Sequence, residues 1–343
     1  MIVQNLKNFL NVFRNRPILC NYYVTYRCNA RCVFCDFWQR ADYKRTPDAR
    51  FEDVAANLKV LRKIGVIFVD FTGGEPLLNR ALPAMLAEAK RLGFITSVTT
   101  NTLLYPQRAE EIRGLVDILH FSLDSLIPEK HNVLRGVPIF HSVMESIRLA
   151  KKLGERPDLL FTVTQSNYRE LPNLAKFARQ ERLLLVTNPV FSYFGNPAAS
   201  ESVVRFVEKF QHTPFVYVNR AFHRFIHAGG NQRGRPRCRS VSSTVVISPQ
   251  NELLLPCFHH RNQAVPIEKD LATALRSSQR LRAMKNQGRY PFCQNCTINC
   301  YFDPSFLYVR DRYFYLSVVP KIKYYLDKNL RARWSKPLRG KTL

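Results

Sequence analysis

Acidic residues are scarce in this chain. Against 52 Lys and Arg stand 26 Asp and Glu, a formal charge of +26 over 343 residues. Such a field favours anionic partners, whether nucleic acid, lipid headgroups or an acidic substrate, although a generally basic proteome or a gain in solubility accounts for it equally well. Long apolar runs are also missing. Nothing approaches the roughly 20 residues of a membrane-spanning helix. No secretory signal is visible, because "MIVQNLKNFLNVFRNRP" spaces its apolar residues helically and lacks an unbroken core with a cleavage site. Nine cysteines are too few for a disulfide-dense secreted scaffold. What is present is an apolar content of 46%, enough for a real core.

The cysteines fall in two groups. Cys20, Cys28, Cys32 and Cys35 lie near the start, and Cys238, Cys257, Cys293, Cys296 and Cys300 near the end. Two groups with C-x-x-C elements read as metal sites in a reducing, cytoplasmic compartment. Cys20 sits inside a predicted strand and reads as core.

Strand-like and helix-like segments alternate from 18 to 190. "ILCNYYVT" (18–25), "VIFVDFT" (66–72), "FITSVTT" (94–100), "VDILHFSL" (116–123), "LLFTVTQ" (159–165) and "LLLVTNPV" (183–190) read as strands. The spacing predicts helices over 51–65, 81–93, 140–154 and 171–180, the first three ending in Gly. Apolar strands, each followed by a helix, indicate a parallel sheet covered by helices. The expected class is therefore α/β: a partial (β/α)6 barrel with chemistry at the C-terminal strand ends. From about 228 the composition shifts to a Gly- and Arg-rich junction, a hairpin over 244–257 and the remaining cysteines. The expected division is an amphipathic segment at 1–17, a barrel at 18–227, a small hairpin and helix domain at 228–305 and a basic aromatic tail at 306–343.

Motifs follow the strand ends in order. After the first comes "CNARCVFC", with Cys28-x-x-x-Cys32-x-x-Cys35. Three thiolates on one loop can hold three irons of a [4Fe–4S] cluster and leave the fourth open for chemistry. Taken alone, the spacing also allows a zinc site completed by a distant ligand. After the second strand comes "TGGEPLL", where Gly73 and Gly74 permit close backbone approach and Glu75 supplies a carboxylate. The third ends in "TTN" (99–101) and the fourth in "SLDS" (122–125).

In these motifs the chain resembles the radical S-adenosylmethionine (SAM) superfamily over roughly residues 18–225. "YRCNARCVFC" matches the cluster loop, with Phe34 before the third cysteine, and "GGEP" (Gly73, Gly74, Glu75, Pro76) matches the motif for the SAM amino group. The resemblance implies that Cys28, Cys32 and Cys35 hold the catalytic [4Fe–4S] cluster and that Glu75 contacts the SAM ammonium. Thr100, Asn101, Ser122 and Asp124 become candidates for its methionyl and ribose groups, and Arg135 in "VLRG" for its carboxylate. The implied reaction is reductive cleavage of SAM to a 5′-deoxyadenosyl radical that abstracts hydrogen from a C–H bond. The electron comes from a donor such as flavodoxin or ferredoxin. Cys238, Cys257, Cys293 and Cys296 resemble the twitch half-domain, a shortened SPASM extension, and imply one auxiliary [4Fe–4S] cluster. Cys300 is an alternative ligand or a buried thiol, and structural zinc stays open.

An auxiliary cluster of this kind often accepts an electron from the substrate radical, which makes net oxidation of the substrate the expectation, with direct substrate binding or a structural role as alternatives. The charge and the aromatic tail point to a hydrophobic or anionic small molecule, such as a lipid, an isoprenoid or a tetrapyrrole side chain. The tail has ten Lys and Arg against two Asp, interleaved with Tyr and Trp334. That composition suits peripheral contact with an anionic membrane. It equally suits a solvated face over aromatics packed back on the barrel. The competing readings are a ribosomal peptide maturase, for which no precursor-binding segment is expected at the short N-terminus, and a tRNA-modifying enzyme, for which no RNA-binding module is evident. A non-catalytic iron–sulfur carrier is a further reading, against which the SAM motifs argue.

Overall fold

The computed structural model describes residues 10–192 and 197–331. A single ten-stranded sheet organises them, in the order β10-β9-β8-β1-β2-β3-β4-β5-β6-β7. The strands are β1 (Leu19–Thr25), β2 (Phe68–Gly73), β3 (Ile95–Thr100), β4 (Ile118–Ser122), β5 (Asp158–Val163), β6 (Leu185–Pro189), β7 (Val216–Tyr217), β8 (Thr244–Ile247), β9 (Glu252–Leu255) and β10 (Gln263–Pro266). From β8 through β7 all neighbours are parallel. Helices of seven residues or more are α1 (Phe51–Ile64), α2 (Leu82–Arg91), α3 (Tyr105–Ile112), α4 (Pro128–Arg135), α5 (Phe140–Lys152), α6 (Leu171–Glu181), α7 (Glu201–Glu208), α8 (Arg220–His227), α9 (Ser278–Asn286), α10 (Asn299–Ser305) and α11 (Arg312–Leu326).

The first six strands and the helices α1, α2, α5 and α6 form where the apolar pattern predicts them. In α1, Val54, Leu58 and Leu61 share one face and are completely buried. Gly65 ends that helix at φ 89°, a left-handed conformation that glycine adopts without strain. Along β2, Val69 and Phe71 point into the helical layer and are completely buried, whereas Phe68, Asp70 and Thr72 are half-buried. Ser97 and Thr99 on β3, His120 on β4, Thr162 on β5 and Asn188 on β6 show the same half-burial. This second face lines the hollow of the barrel.

Three features lie outside the six-strand barrel. The 228–305 segment builds no sheet of its own. Its hairpin adds β8 to the free edge of β1, pairing Leu19 with Thr244 through Tyr22 with Ile247. All four β8 residues are buried, and covering a bare edge in this way removes unpaired backbone groups. The opening segment is partly helical: Leu10–Arg14 is a 3₁₀ turn whose Asn11 side chain donates to the carbonyls of Ile64 and Gly65. Residues 1–9 of that segment lie outside the described residues.

The tail is the third. Residues 306–331 fold back as a floor under the barrel. Leu307 joins Val12, Ile18 and Ile67 in a small core, with Phe314 and Val318 packed against it beside Phe68 and Ile95. These residues lie at the N-terminal ends of β1, β2 and β3. At the other end of α11, Tyr324 donates to Asp158 at 2.5 Å and Lys328 reaches the same carboxylate at 2.9 Å, at the start of β5. Residues 332–343, including Trp334, lie outside the described residues.

Candidate active site

The three-cysteine loop leaves β1 and is clamped from two sides. On one side, the Gly74 N–H donates to Thr25 O (3.1 Å) and the Glu75 N–H to Arg27 O (2.9 Å). A Cβ on Gly74 would lie 2.2 Å from Arg27 O, and one on Gly73, at φ 147°, 1.9 Å from Thr25 O. Only glycine allows that approach. On the other side, the loop N–H groups of Arg31 and Val33 donate to Arg135 O and Leu134 O, each at 3.0 Å. Gly136 carries φ 66°, and a Cβ there would meet Arg31 O at 2.2 Å. The "VLRG" element therefore ends α4 against the cysteine loop.

The thiols sit among donors. Cys28 Sγ accepts from Ala30 N (3.4 Å) and Asn101 Nδ2 (3.9 Å), and Cys32 Sγ from Arg135 Nη1 (3.7 Å). Burial pushes the Cys28 and Cys35 thiols up to about 12, and the neighbouring cysteines add to it. Three desolvated sulfurs that repel one another as thiolates suit a cation-rich partner such as an iron–sulfur core. Among the described residues, no three His, Cys, Asp or Glu side chains close around a point as a single metal ion requires.

Glu75, expected at the SAM ammonium, is held by protein donors at the end of β3. It is 1% exposed, and its carboxylate already accepts from Leu77 N (3.1 Å), Thr100 Oγ1 (2.8 Å) and Asn101 N (2.8 Å). Burial, opposed by these three donors, pushes its acid up to about 7. Glu75 thus locks the end of β3 to the glycine turn, and Thr100 is part of the same lock. Pro76 is buried as the first residue of the Pro76–Leu78 turn. Asn101 links the lock to the loop, donating to Asn29 Oδ1 (2.7 Å) as well as to Cys28.

Asp124, a candidate for the SAM methionyl or ribose groups, lies among protein partners at the end of β4. It has no exposed surface, pairs with Arg135 Nε at 2.7 Å and accepts from Thr162 N at 3.0 Å. Ser122 ends β4 and is 5% exposed. Arg135 stands between Asp124, Cys32 and the Phe34 ring, its guanidinium carbon 5.3 Å from that ring's centre. One of its donors, Nη2, is buried without a hydrogen-bond partner. A guanidinium with a spare donor beside the cysteine loop suits a carboxylate ligand.

The second cysteine group assembles at the far end of the sheet. Asn231, completely buried, ties it together. Its Nδ2 donates to Gly288 O (2.8 Å) and Cys293 O (3.0 Å), and its Oδ1 accepts from Arg237 N and Cys238 N. Burial pushes the Cys257 thiol well up, and Cys238, Cys296 and Cys293 add to it. Cys300 keeps some exposed surface, and burial among surrounding protein, then Asp70, pushes its thiol up to about 12. Sequence reasoning missed Asn231 and Asp70. A carboxylate inside the apolar run "VIFVDFT" was the available signal for Asp70, whereas nothing local marks Asn231.

An aromatic wall joins the two cysteine groups. Tyr23, Tyr26, Phe37, Tyr43, Phe258 and Tyr301 form one buried cluster that contains Cys257 and packs against Cys35 and Cys296. Tyr23 and Phe258 stack at 4.0 Å between ring centres.

Comparison with known proteins agrees with this geometry. Residues 22–178 match the family model of the Radical SAM superfamily. A probable GTP 3′,8-cyclase of Sulfolobus acidocaldarius is 30% identical over 163 residues, covering 47% of this chain and 51% of that protein. An Fe-coproporphyrin III synthase of Methanosarcina barkeri is 27% identical over 163 residues, 47% of this chain and 40% of that protein. The chain thus spans about half the length of the curated relatives it matches. Among solved structures, anSMEcpe with bound AdoMet superposes with a TM-score of 0.61 at 16% identity, covering 93% of this chain and 96% of that one. Streptococcus suis SuiB bound to SAM gives 0.61 at 18% identity, over 77% and 66%. These structural likenesses show the fold. The family implies a [4Fe–4S] cluster and SAM, and the donor set of the clamped loop fits both. The chain carries a radical SAM domain over residues 22–178.

Proposed function

We propose that this radical SAM enzyme oxidises an anionic or hydrophobic small molecule in the hollow of the barrel. The observation that carries the reading is one buried aromatic wall that contains Cys257 and packs against both Cys35 of the first cysteine loop and Cys296 of the later cysteines. Cys28, Cys32 and Cys35 would hold the catalytic cluster, and Cys238, Cys257, Cys293 and Cys296 an auxiliary one. Bound there, cluster and SAM supply reductive SAM cleavage and hydrogen-atom abstraction.

The chain's own residues do the rest. The glycine turn and Gly136 fix the loop, Glu75 and Asn101 brace it, and the unused Arg135 donor is placed for the SAM carboxylate. Asp70, Ser97 and Cys300 line the hollow where a substrate would lie. Net oxidation would need, beyond the removed hydrogen atom, an acceptor for one electron, which a cluster held by Cys238, Cys257, Cys293 and Cys296 would supply, and a base for one proton. The relatives named for GTP and for an iron porphyrin support an anionic substrate, as does the formal charge of +26.

The test is anaerobic reconstitution followed by iron analysis and SAM turnover with a strong reductant. About eight irons per chain and formation of 5′-deoxyadenosine are expected. Alanine at Cys28, Cys32 and Cys35 together should leave about four irons and no 5′-deoxyadenosine. A loaded wild-type protein that forms none would overturn the catalytic reading. A product at the same oxidation level as its substrate would overturn the oxidation.

A further inference from the structure

We infer that the outer face of α11 is a docking surface for an anionic lipid bilayer. The helix has two apolar sides. Its inner side buries Tyr313, Ser317 and Pro320 under the barrel and anchors Tyr324 on Asp158. Its outer side carries Tyr315, Val319, Ile322 and Leu326, at intervals of four, three and four residues, so all four project from one face. Leu330 extends the row in the following turn. Tyr315 is 70% exposed, Val319 and Ile322 54% each, Leu326 40% and Leu330 48%. A helix that only floors a barrel should turn polar residues outward. The exposed large apolar side chains of the described residues concentrate on this helix.

The charges around the row are of one sign. Phe13, 47% exposed, sits beside the start of α11 with the Arg310 guanidinium 4.8 Å from its ring centre. Arg14, Arg16, Arg310 and Arg312 are exposed on the same border. The nearby acids are occupied: Asp311 pairs with Arg237, Asp303 with Lys321 and Asp158 with Lys328, and Asp327 is buried against Lys323. By sequence, no acidic residue precedes Asp36, and residues 332–343 hold four Lys and Arg, Trp334 and no acid. Aliphatic side chains entering the acyl boundary, Tyr at headgroup depth and Arg against phosphate are the signature of an interfacial helix. RNA has no use for the aliphatic row, since phosphates need only the arginines and bases stack on rings. No described helix is long and apolar enough to span a membrane, so the contact lies on the surface.

The orientation has a consequence. The floor covers the N-terminal strand ends, and the cysteine loop and glycine turn occupy the C-terminal ends. Docking by α11 therefore holds the site's mouth away from the lipid, open to the aqueous side.

The experiment is flotation of the iron-loaded protein with phosphatidylglycerol and phosphatidylcholine vesicles at low and high salt. Wild type should float with the anionic vesicles at low salt, with at least tenfold less bound at high salt. Val319→Gln with Ile322→Gln should cut flotation at least tenfold while unfolding midpoint and iron content stay as in wild type. Arg310→Gln with Arg312→Gln should lower binding to anionic vesicles only. Wild type that ignores vesicles, or a Val319/Ile322 variant that floats as wild type does, overturns the proposal. So does a dimer that the Val319/Ile322 variant dissociates without any vesicle binding, or tight single-stranded RNA binding in place of flotation.

Discussion

Arg135 Nε lies 2.7 Å from Asp124 Oδ2, and neither residue reaches solvent to any extent, at 6% and 0% exposure. The pair joins two strand ends to the cysteine loop, because Arg135 also donates to Cys32 Sγ and its carbonyl accepts from Arg31. A buried pair is weak evidence of net stability, but removing one partner strands the other charge in a low-dielectric site.

Asp124→Asn should therefore destabilise the protein by about 3 kcal/mol. Replacing both, as Asp124→Asn with Arg135→Met, should recover part of that loss. Urea midpoints of the two variants check the claim. Equal losses would mean that the charge pairing is irrelevant.

Glu75 gives a pH dependence of defined sign. Its folded acid titrates near 7 against an ordinary 4.5. The native state therefore holds a proton that the unfolded chain has released. The stabilisation is complete below about pH 4.5 and is lost as pH rises through about 7. The shift corresponds to about 3 kcal/mol. Glu75→Gln should flatten that slope in urea midpoints measured from pH 5 to 8. A slope unchanged by the substitution would sink the assignment.

Gly74→Ala and Gly136→Ala should each loosen the cysteine loop, since each new methyl collides with a backbone carbonyl at 2.2 Å. A loss of at least about 2 kcal/mol is expected, with poor iron retention at the first site alone. Iron-loaded protein with wild-type stability would refute the clamp.

Cys300→Ser tests the separation of that thiol from the four-cysteine group. Iron content should stay at the wild-type value, whereas Cys257→Ser should lower it by about four irons per chain. Equal loss in both would make Cys300 a ligand. Asp70→Asn, in the hollow beside it, should leave iron content unchanged and alter substrate turnover.

Much of the barrel was legible because its signals are local. Apolar strands such as 66–72, the helical face of Val54, Leu58 and Leu61, and Gly65 as a stop all act within a few residues. The segment after 228 was less legible. Its hairpin was read correctly, but which edge it joins depends on the free side of β1, more than 200 residues away in the chain. The floor was ambiguous for the same reason. Tyr324 and Lys328 are anchored by Asp158, a long-range partner that no periodicity announces.

The site divides along the same line. Residue types and spacing determined that three thiols share one loop, that glycines follow the second strand, and that a second cysteine group exists, because covalent sequence fixes what a single loop can present. Tertiary structure decided what the neighbours do. It turned Glu75 and Asp124 inward onto protein donors, left a donor of Arg135 free and gathered six aromatics into one wall that contains Cys257 and packs against Cys35 and Cys296. Side chains from different strands meet only when the sheet is assembled, and burial then selects among the partners that each could have had.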